Sequence, residues 1–261
     1  MKLLSKPYIV VVGVLLCVMT VPTKVSATNY GDYLLLDSAN AAYNRANYAK
    51  AISFYQHFLG GGIESPQAYY NMGNCYFRTN ETGKAILYYE KAQKLAPGDP
   101  DIQFNLQLAN QKITDKINSD TPIFIYSDWK KFEDRFTEKQ WSWICIGLLC
   151  LGLLFLAVYL SVSWMILRQL SFWMGCIIIV LSFFTFYIAH QQYDTLNSHD
   201  TAIVTASTVT VNGAPEEKAT QLFVVHEGTK VWIVKTEGEW TEVKLSNGNQ
   251  GWLVSSDISP I

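Results

Sequence analysis

Charge is what this sequence has least of, and it is missing mainly from one place. Only 16% of its 261 residues are charged, against about 25% in an ordinary soluble domain. Between Gln140 and Tyr193 the sole ionised side chain is Arg168, which argues against a wholly soluble chain. A basic excess is also lacking: the net charge of −2 gives no support to nucleic-acid binding, which normally shows a basic patch. Cysteine is sparse and poorly placed for a disulfide framework. Cys17, Cys145, Cys150 and Cys176 fall in apolar runs, leaving Cys75 alone in a polar part. The four histidines (His57, His190, His199, His226) are scattered. No nucleophile–base pairing, phosphate loop or metal-ligand spacing appears. A non-enzymatic chain without cofactor or metal is expected. The rival, a membrane redox protein using Cys145, Cys150 and Cys176, is weak because cysteine also serves as a small apolar residue and no histidine or carboxylate stands at mid-run.

What is present begins with the parts of an export signal over residues 1–27. Lys2 and Lys6 precede an apolar run from Tyr8 to Val21, and Val25-Ser26-Ala27 supplies a small-residue cleavage site. An uncleaved anchor is the alternative, and either version exports the next segment of the chain. Leu16 occupies the position where a lipoprotein box needs a small residue, so lipidation is not expected.

Residues 28–118 have a helical pattern that overlays on itself at a shift of 34. Ala39 falls on Gly73, Tyr43 on Phe77, Ala51 on Ala85, Ile52 on Ile86 and Tyr55 on Tyr89. Small residues let antiparallel helices approach, and aromatics fill the holes around them. Ser65-Pro66 and Asp99-Pro100 are helix starts. Gly60-Gly61-Gly62 and Pro97-Gly98 are helix stops. This pattern resembles the tetratricopeptide repeat family. Gly73, Tyr76, Ala85, Tyr89, Ala92 and Pro97 match its consensus in order, while the first repeat has Phe58 where a small residue is usual. The structural positions are Ala39, Ala51, Gly73, Ala85, Tyr89, Ala92 and Pro97. A fifth helix is expected from Asp101 to Ile117. Two and a half repeats are marginal for a stack, so either that helix caps it or a partner completes it.

The resemblance implies a partner-binding groove lined by the first helix of each pair. Carried over residue by residue, it gives Asn40, Tyr43, Tyr70, Asn71, Asn74, Phe77, Arg78, Asn105 and Lys112. Asparagine suits such a groove because its amide both donates and accepts. Asn40 and Asn71 match two positions of the subfamily that clamps C-terminal carboxylates. The basic positions of that clamp are Leu36, Asp101 and Asn105 here, which argues against a carboxylate ligand. Solvated helix faces are the plain alternative.

Residues 119–140 form an aromatic linker. Trp129, Phe132 and Phe136 share one face if the segment is helical, as an interfacial helix lying on lipid requires; a short packing helix reads equally well. Thr137 and Gln140 make a capping box. Residues 141–160 and 171–190 are apolar runs of about 20 residues, roughly 30 Å as helix, the thickness of a hydrocarbon core. Tryptophans and tyrosines cluster near their ends. An exported N-terminus followed by two spans puts both soluble parts on the periplasmic side of the cytoplasmic membrane and the loop around Arg168 in the cytoplasm.

After Asp200 the period becomes two. Strands are expected at Ala202–Thr205, Thr208–Val211, Gln221–His226, Lys230–Lys235, Thr241–Leu245 and Gly251–Val254. Asn212-Gly213, Glu227-Gly228, Glu237-Gly238 and Asn247-Gly248 mark the turns. The run from His226 to Val231, then Gly238 to Val243, then Gly251-Trp252-Leu253, resembles bacterial SH3 domains, with Gly228, Trp240, Gly251 and Trp252 as structural residues of a closed barrel over 200–261. The expected architecture is therefore multi-domain: an all-α repeat solenoid, a two-helix transmembrane hairpin and an all-β SH3-like barrel. That order of parts resembles the BatE-type proteins of the Bacteroides aerotolerance operon. The resemblance implies a membrane adaptor in oxidative-stress tolerance, beside proteins carrying von Willebrand A domains and in contact with membrane lipid. A peptidoglycan-binding role through the barrel is the alternative.

Overall fold

The computed structural model describes residues 30–116 and 124–261; the expected export signal, Cys17 and the start of the linker lie outside the described residues. Phe136–Asp194 form one compact unit. The described residues before Phe136 form the other together with Thr195–Ile261.

The second unit opens with five helices: α1 (Tyr30–Asn44), α2 (Tyr48–Gly60), α3 (Pro66–Arg78), α4 (Thr82–Leu95) and α5 (Pro100–Asn110). The backbone explains where they begin. Asn47 Oδ1 accepts from Lys50 N–H (3.3 Å) and Ser65 Oγ from Ala68 N–H (3.3 Å). Asp99 Oδ1 accepts from the N–H groups of Asp101 and Ile102. Each satisfies donors that a helix start otherwise leaves orphaned. Between paired helices the chain turns through a left-handed residue, Ala46 (φ 56°) and Asn80 (φ 62°), again 34 apart. Asparagine tolerates that conformation, whereas alanine adopts it at a steric cost.

Ala39, Ala51, Ala85 and Ala92 are fully buried in the repeat core with Tyr55, Met72 and Tyr89. Gly73 is needed for contact: a Cβ there would lie 2.6 Å from Tyr89 Cδ1. Phe58, the departure from the repeat pattern, is also buried. Pro97 is half-buried, and its carbonyl accepts from Gln103 Nε2 at 2.7 Å. Helix α5 stops at Asn110 rather than reaching Ile117, so Ile113 lies beyond it and packs on the core from an irregular segment.

The C-terminal strands are β1 (Thr201–Val204), β2 (Thr208–Asn212), β3 (Gln221–His226), β4 (Lys230–Glu237), β5 (Trp240–Lys244), β6 (Gln250–Val254) and β7 (Ile258–Pro260). They form one antiparallel sheet in the order β3-β2-β6-β5-β4-β1-β7. This corrects the expected barrel: the sheet is open. Its outer strands, β3 and β7, each pair with one neighbour and not with each other. Seven strands rather than six are present, the added one being three residues long. Gly228, Gly238 and Gly248 sit at φ 86°, 60° and 87° in their turns, where a side chain would be strained. The two tryptophans differ. Trp252 is buried, with Lys235 Nζ 4.7 Å from its ring centroid, whereas Trp240 is half-buried, and neither belongs to the sheet's apolar cluster. Gly251 lies against Val211, whose Cγ1 would stand 2.6 Å from an added Cβ.

The sheet also answers what closes the short stack. Ile203 and Ile261 belong to the same buried cluster as the repeat residues. Gly228 packs where a Cβ would meet Ile113 (2.5 Å) and Ile86 (2.9 Å). Asp115 takes hydrogen bonds from His226 N–H (2.6 Å), His226 Nδ1 (2.8 Å) and Thr229 Oγ1 (2.9 Å). Lys230 pairs with Glu90 at 2.7 Å, and Lys94 Nζ donates to the carbonyls of Ser198 and Ile261. The chain's own sheet therefore covers the α4 face that an additional repeat would otherwise cover.

Helix α6 (Phe124–Glu133) belongs to the same unit. Trp129 and Phe132 lie 5.9 Å apart, but Phe136 is not on their helix, contrary to the expected single face. It precedes the Thr137 cap and meets Trp141 edge-on at 5.2 Å.

The first unit is a hairpin of α7 (Glu138–Ser161) and α8 (Met165–Asn197). The capping box is present: Thr137 N–H donates to Gln140 Oε1 (2.9 Å) and Gln140 N–H to Thr137 Oγ1 (3.4 Å). Gly152 and Gly175 bring the helices together, and Ser182 Oγ donates to the Cys145 carbonyl at 3.0 Å. Arg168 lies inside α8, not in a loop, because the connection is only residues 162–164. Its guanidinium sits 5.9 Å from the Tyr159 ring centroid. Both helices are long and apolar enough to cross a membrane.

Candidate functional site

The expected groove residues lie on α1, α3 and α5, the first helices of successive pairs, except Lys112, which comes after α5. Their asparagines do something the sequence did not reveal. Asn40 Oδ1 accepts from Tyr55 Oη (2.6 Å) and Asn71 Nδ2 (3.1 Å). Thirty-four residues later, Asn74 Oδ1 accepts from Tyr89 Oη (2.7 Å) and Asn105 Nδ2 (3.0 Å). The same three-residue bond set is thus built twice, each time joining the two helices of a pair to the next pair. Burial pushes the Tyr55 hydroxyl up to about 12 and raises that of Tyr89 as well, so both stay protonated donors. Asn105 Nδ2 also donates to Tyr70 Oη at 2.8 Å, while Asn71 Oδ1 accepts from Gln67 Nε2.

These bonds change what the groove offers. A large share of the amide capacity is used between helices, which fixes their spacing. What faces outward is an aromatic and cationic strip. Tyr43, Tyr70 and Phe77 are half-buried; Arg78 and Lys112 are exposed. Arg78 and Lys112 are again 34 apart, and Lys112 Nζ lies 3.9 Å from the Phe77 ring centroid, a distance at which the ring face attracts the ammonium. Phe104 is not among the expected residues, yet it stands 34 residues after Tyr70, at the same repeat position, and is 65% exposed. Leu108, one turn along α5, is exposed too. The repeat offset alone is signal enough to find Phe104. The positions a carboxylate clamp needs remain without a cation, since Leu36, Asp101 and Asn105 occupy them.

Cys75 is buried, and burial pushes its thiol up to about 12, which removes it as a nucleophile at neutral pH. A cleft of about 240 Å³ opens between α4 and the C-terminal strand, lined by Glu64, Tyr69, Lys91, Lys94, His199 and Ile261. Burial lowers both lysines, partly offset by Glu64. Among the described residues no group of three or more His, Cys, Asp or Glu could hold a metal ion.

Residues 66–99 match the tetratricopeptide repeat family, which is the helix pair α3–α4 with its following turn. No curated protein matches the chain. Among solved structures, the Sgt2 TPR domain from Aspergillus fumigatus is similar at 17% identity, covering 65% of this chain and 88% of that one, with a TM-score of 0.31. At that score the likeness carries no argument.

Proposed function

We propose that the chain is a non-enzymatic adaptor, anchored by its apolar hairpin, that holds a protein partner across the repeat groove. The observation that supports this best is the division of labour on α1, α3 and α5. A twice-built amide–tyrosine bond set rigidifies the groove from within, while Tyr43, Phe77, Arg78 and Lys112 remain at its surface. A pre-set scaffold presenting aromatic and cationic side chains is what an interface needs. With export at the N-terminus, the repeats and the sheet face the periplasm. The order of parts supports the narrower reading of a BatE-type aerotolerance adaptor beside von Willebrand A-domain proteins. The sheet module, with four basic and eight acidic residues from Asp200 onward, suits an anionic glycan such as peptidoglycan poorly.

The experiment is crosslinking in intact cells followed by mass spectrometry, comparing wild type with Arg78→Glu/Lys112→Glu. Both side chains are exposed, so stability should shift by under about 0.5 kcal/mol per site. Partner capture should fall at least tenfold. Undiminished capture would place recognition elsewhere.

A further inference from the structure

Docking of the sheet on the repeats leaves a cleft that neither part has alone. Val231 is buried in the sheet's apolar cluster and Ile233 packs against it, so Lys230 and Trp232 occupy the opposite face of β4. Lys230 reaches Glu90 on α4 at 2.7 Å, and Ile203, cross-strand from Lys230, joins the repeat core. Trp232 faces the same way two residues further along, yet it stays 41% exposed.

Beside Trp232 the cleft encloses about 310 Å³, at the lower end of the range for small-molecule sites, roughly 300–1,000 Å³. Its floor is apolar: a Cβ added at Gly228 would meet Ile113 at 2.5 Å and Ile86 at 2.9 Å. Its rim carries neutral hydrogen-bonding groups from both parts, Asn110 at the end of α5 and Ser246 in the turn after β5. Charge cancels across it. Glu90 and Asp115 stand against Lys116 and Lys230. Both acids already have partners, Lys230 for Glu90 and the His226 and Thr229 donors for Asp115.

We infer that this cleft is a binding site for an uncharged sugar ring stacked on Trp232. A pyranose presents C–H groups on its faces, which suit the negative face of an indole, and hydroxyls around its edge. Those hydroxyls both donate and accept, as do the Asn110 amide and the Ser246 hydroxyl. A cleft without net charge selects a neutral ligand, because a charge brought into it without a partner is costly. None of these residues belongs to the repeat groove, so the inference does not depend on partner binding there.

The test uses the full chain in micelles of a detergent without a sugar headgroup. Trisaccharides of glucose, mannose and N-acetylglucosamine are the probes, with indole as the aromatic control. Saturation-transfer NMR should show contact with the ring protons of at least one trisaccharide, and titration gives its Kd. Trp232→Ala should weaken that binding at least tenfold, as truncating an aromatic anchor does, while Trp232→Phe, which keeps a flat face, should lose less. Asn110→Ala should weaken it about fivefold, the effect of one hydrogen bond. Asn110 is exposed on the repeat side, so this second variant leaves the sheet intact and guards against a folding defect in the first. Contact with none of the three sugars, transfer to indole alone, or undiminished binding by either alanine variant would overturn the proposal.

Discussion

The repeat block and the apolar hairpin each bring two antiparallel helices together on glycine, and they fill the surrounding space in opposite ways. In the repeats Gly73 receives the ring of Tyr89, and the large side chains point inward: Tyr55, Met72, Ile86 and Tyr89 are at most 1% exposed. In the hairpin Gly152 meets the backbone of Gly175 and the Ile179 side chain, while Trp143, Leu154, Trp173, Val180 and Phe183 point away from the partner helix. The seam there is lined by Ser171, Gly175, Ser182 and Ala189. Water drives the first arrangement, because burying apolar area is favourable only relative to water. The hairpin instead shows close packing and an interhelical hydrogen bond from Ser182 Oγ to the Cys145 carbonyl, contacts of the kind that hold helices together where that drive is absent.

The sharpest way to break this contrast is to remove the ring that fills the repeat glycine. Tyr89→Ala should destabilise the repeat block by about 3–5 kcal/mol, the usual range for a fully buried aromatic, and lower the denaturant midpoint measured by circular dichroism. Trp143→Ala, an equally drastic truncation on an outward face of the hairpin, should leave that midpoint within about 0.5 kcal/mol of wild type. A comparable loss in the two variants would mean the hairpin is packed like a soluble core.

Gly152→Val should cost about 1–3 kcal/mol through overpacking, confined to the hairpin. Crosslinking yield between cysteines placed across the seam should fall while partner capture by the repeats stays unchanged.

The third test concerns how the sheet is held on the repeats. Burial alone would raise the Asp115 carboxyl, but the His226 N–H, the His226 ring and the Thr229 hydroxyl together hold it below the ordinary carboxylate range. A depressed carboxylate contributes stability that is complete above its unfolded value, about 3.9, and is lost as pH falls through the lower folded value. Wild type should therefore lose stability below about pH 4 more steeply than Asp115→Asn. At pH 7 the variant should be weaker by about 1–3 kcal/mol. Denaturation series at pH 7 and pH 3 measure both.

The smallest effect has the opposite sign. Ala46 occupies the left-handed position that Asn80 fills in the next repeat. Ala46→Asn should stabilise the block by up to about 1 kcal/mol, read as a higher midpoint.

Most of the repeat architecture could be read from the chain, because helix caps, glycine positions and the 34-residue offset are local or periodic signals. Ser65, Asp99 and Thr137 each cap the helix their sequence context announces. The candidate groove was legible as a set of positions but not as chemistry. Nothing in the spacing of Asn40, Asn71 and Tyr55 says that one oxygen takes both hydrogen bonds, since that depends on three helices converging. The C-terminal strands were legible from alternation, but their arrangement was not. Alternation fixes which face each residue takes and is silent on whether the outer strands meet.

What the sequence by itself determined is therefore the set of elements and which of them are apolar throughout. Charge depletion from Gln140 to Tyr193 selects an apolar hairpin, and buried small residues at repeat spacing select paired helices. Tertiary structure alone decided that the short repeat stack is closed by the chain's own sheet. Ile203, Ile261, Gly228 and Asp115 stand far from Ile86 and Glu90 in sequence, or in irregular segments with no period, and their contacts exist only once both parts are folded.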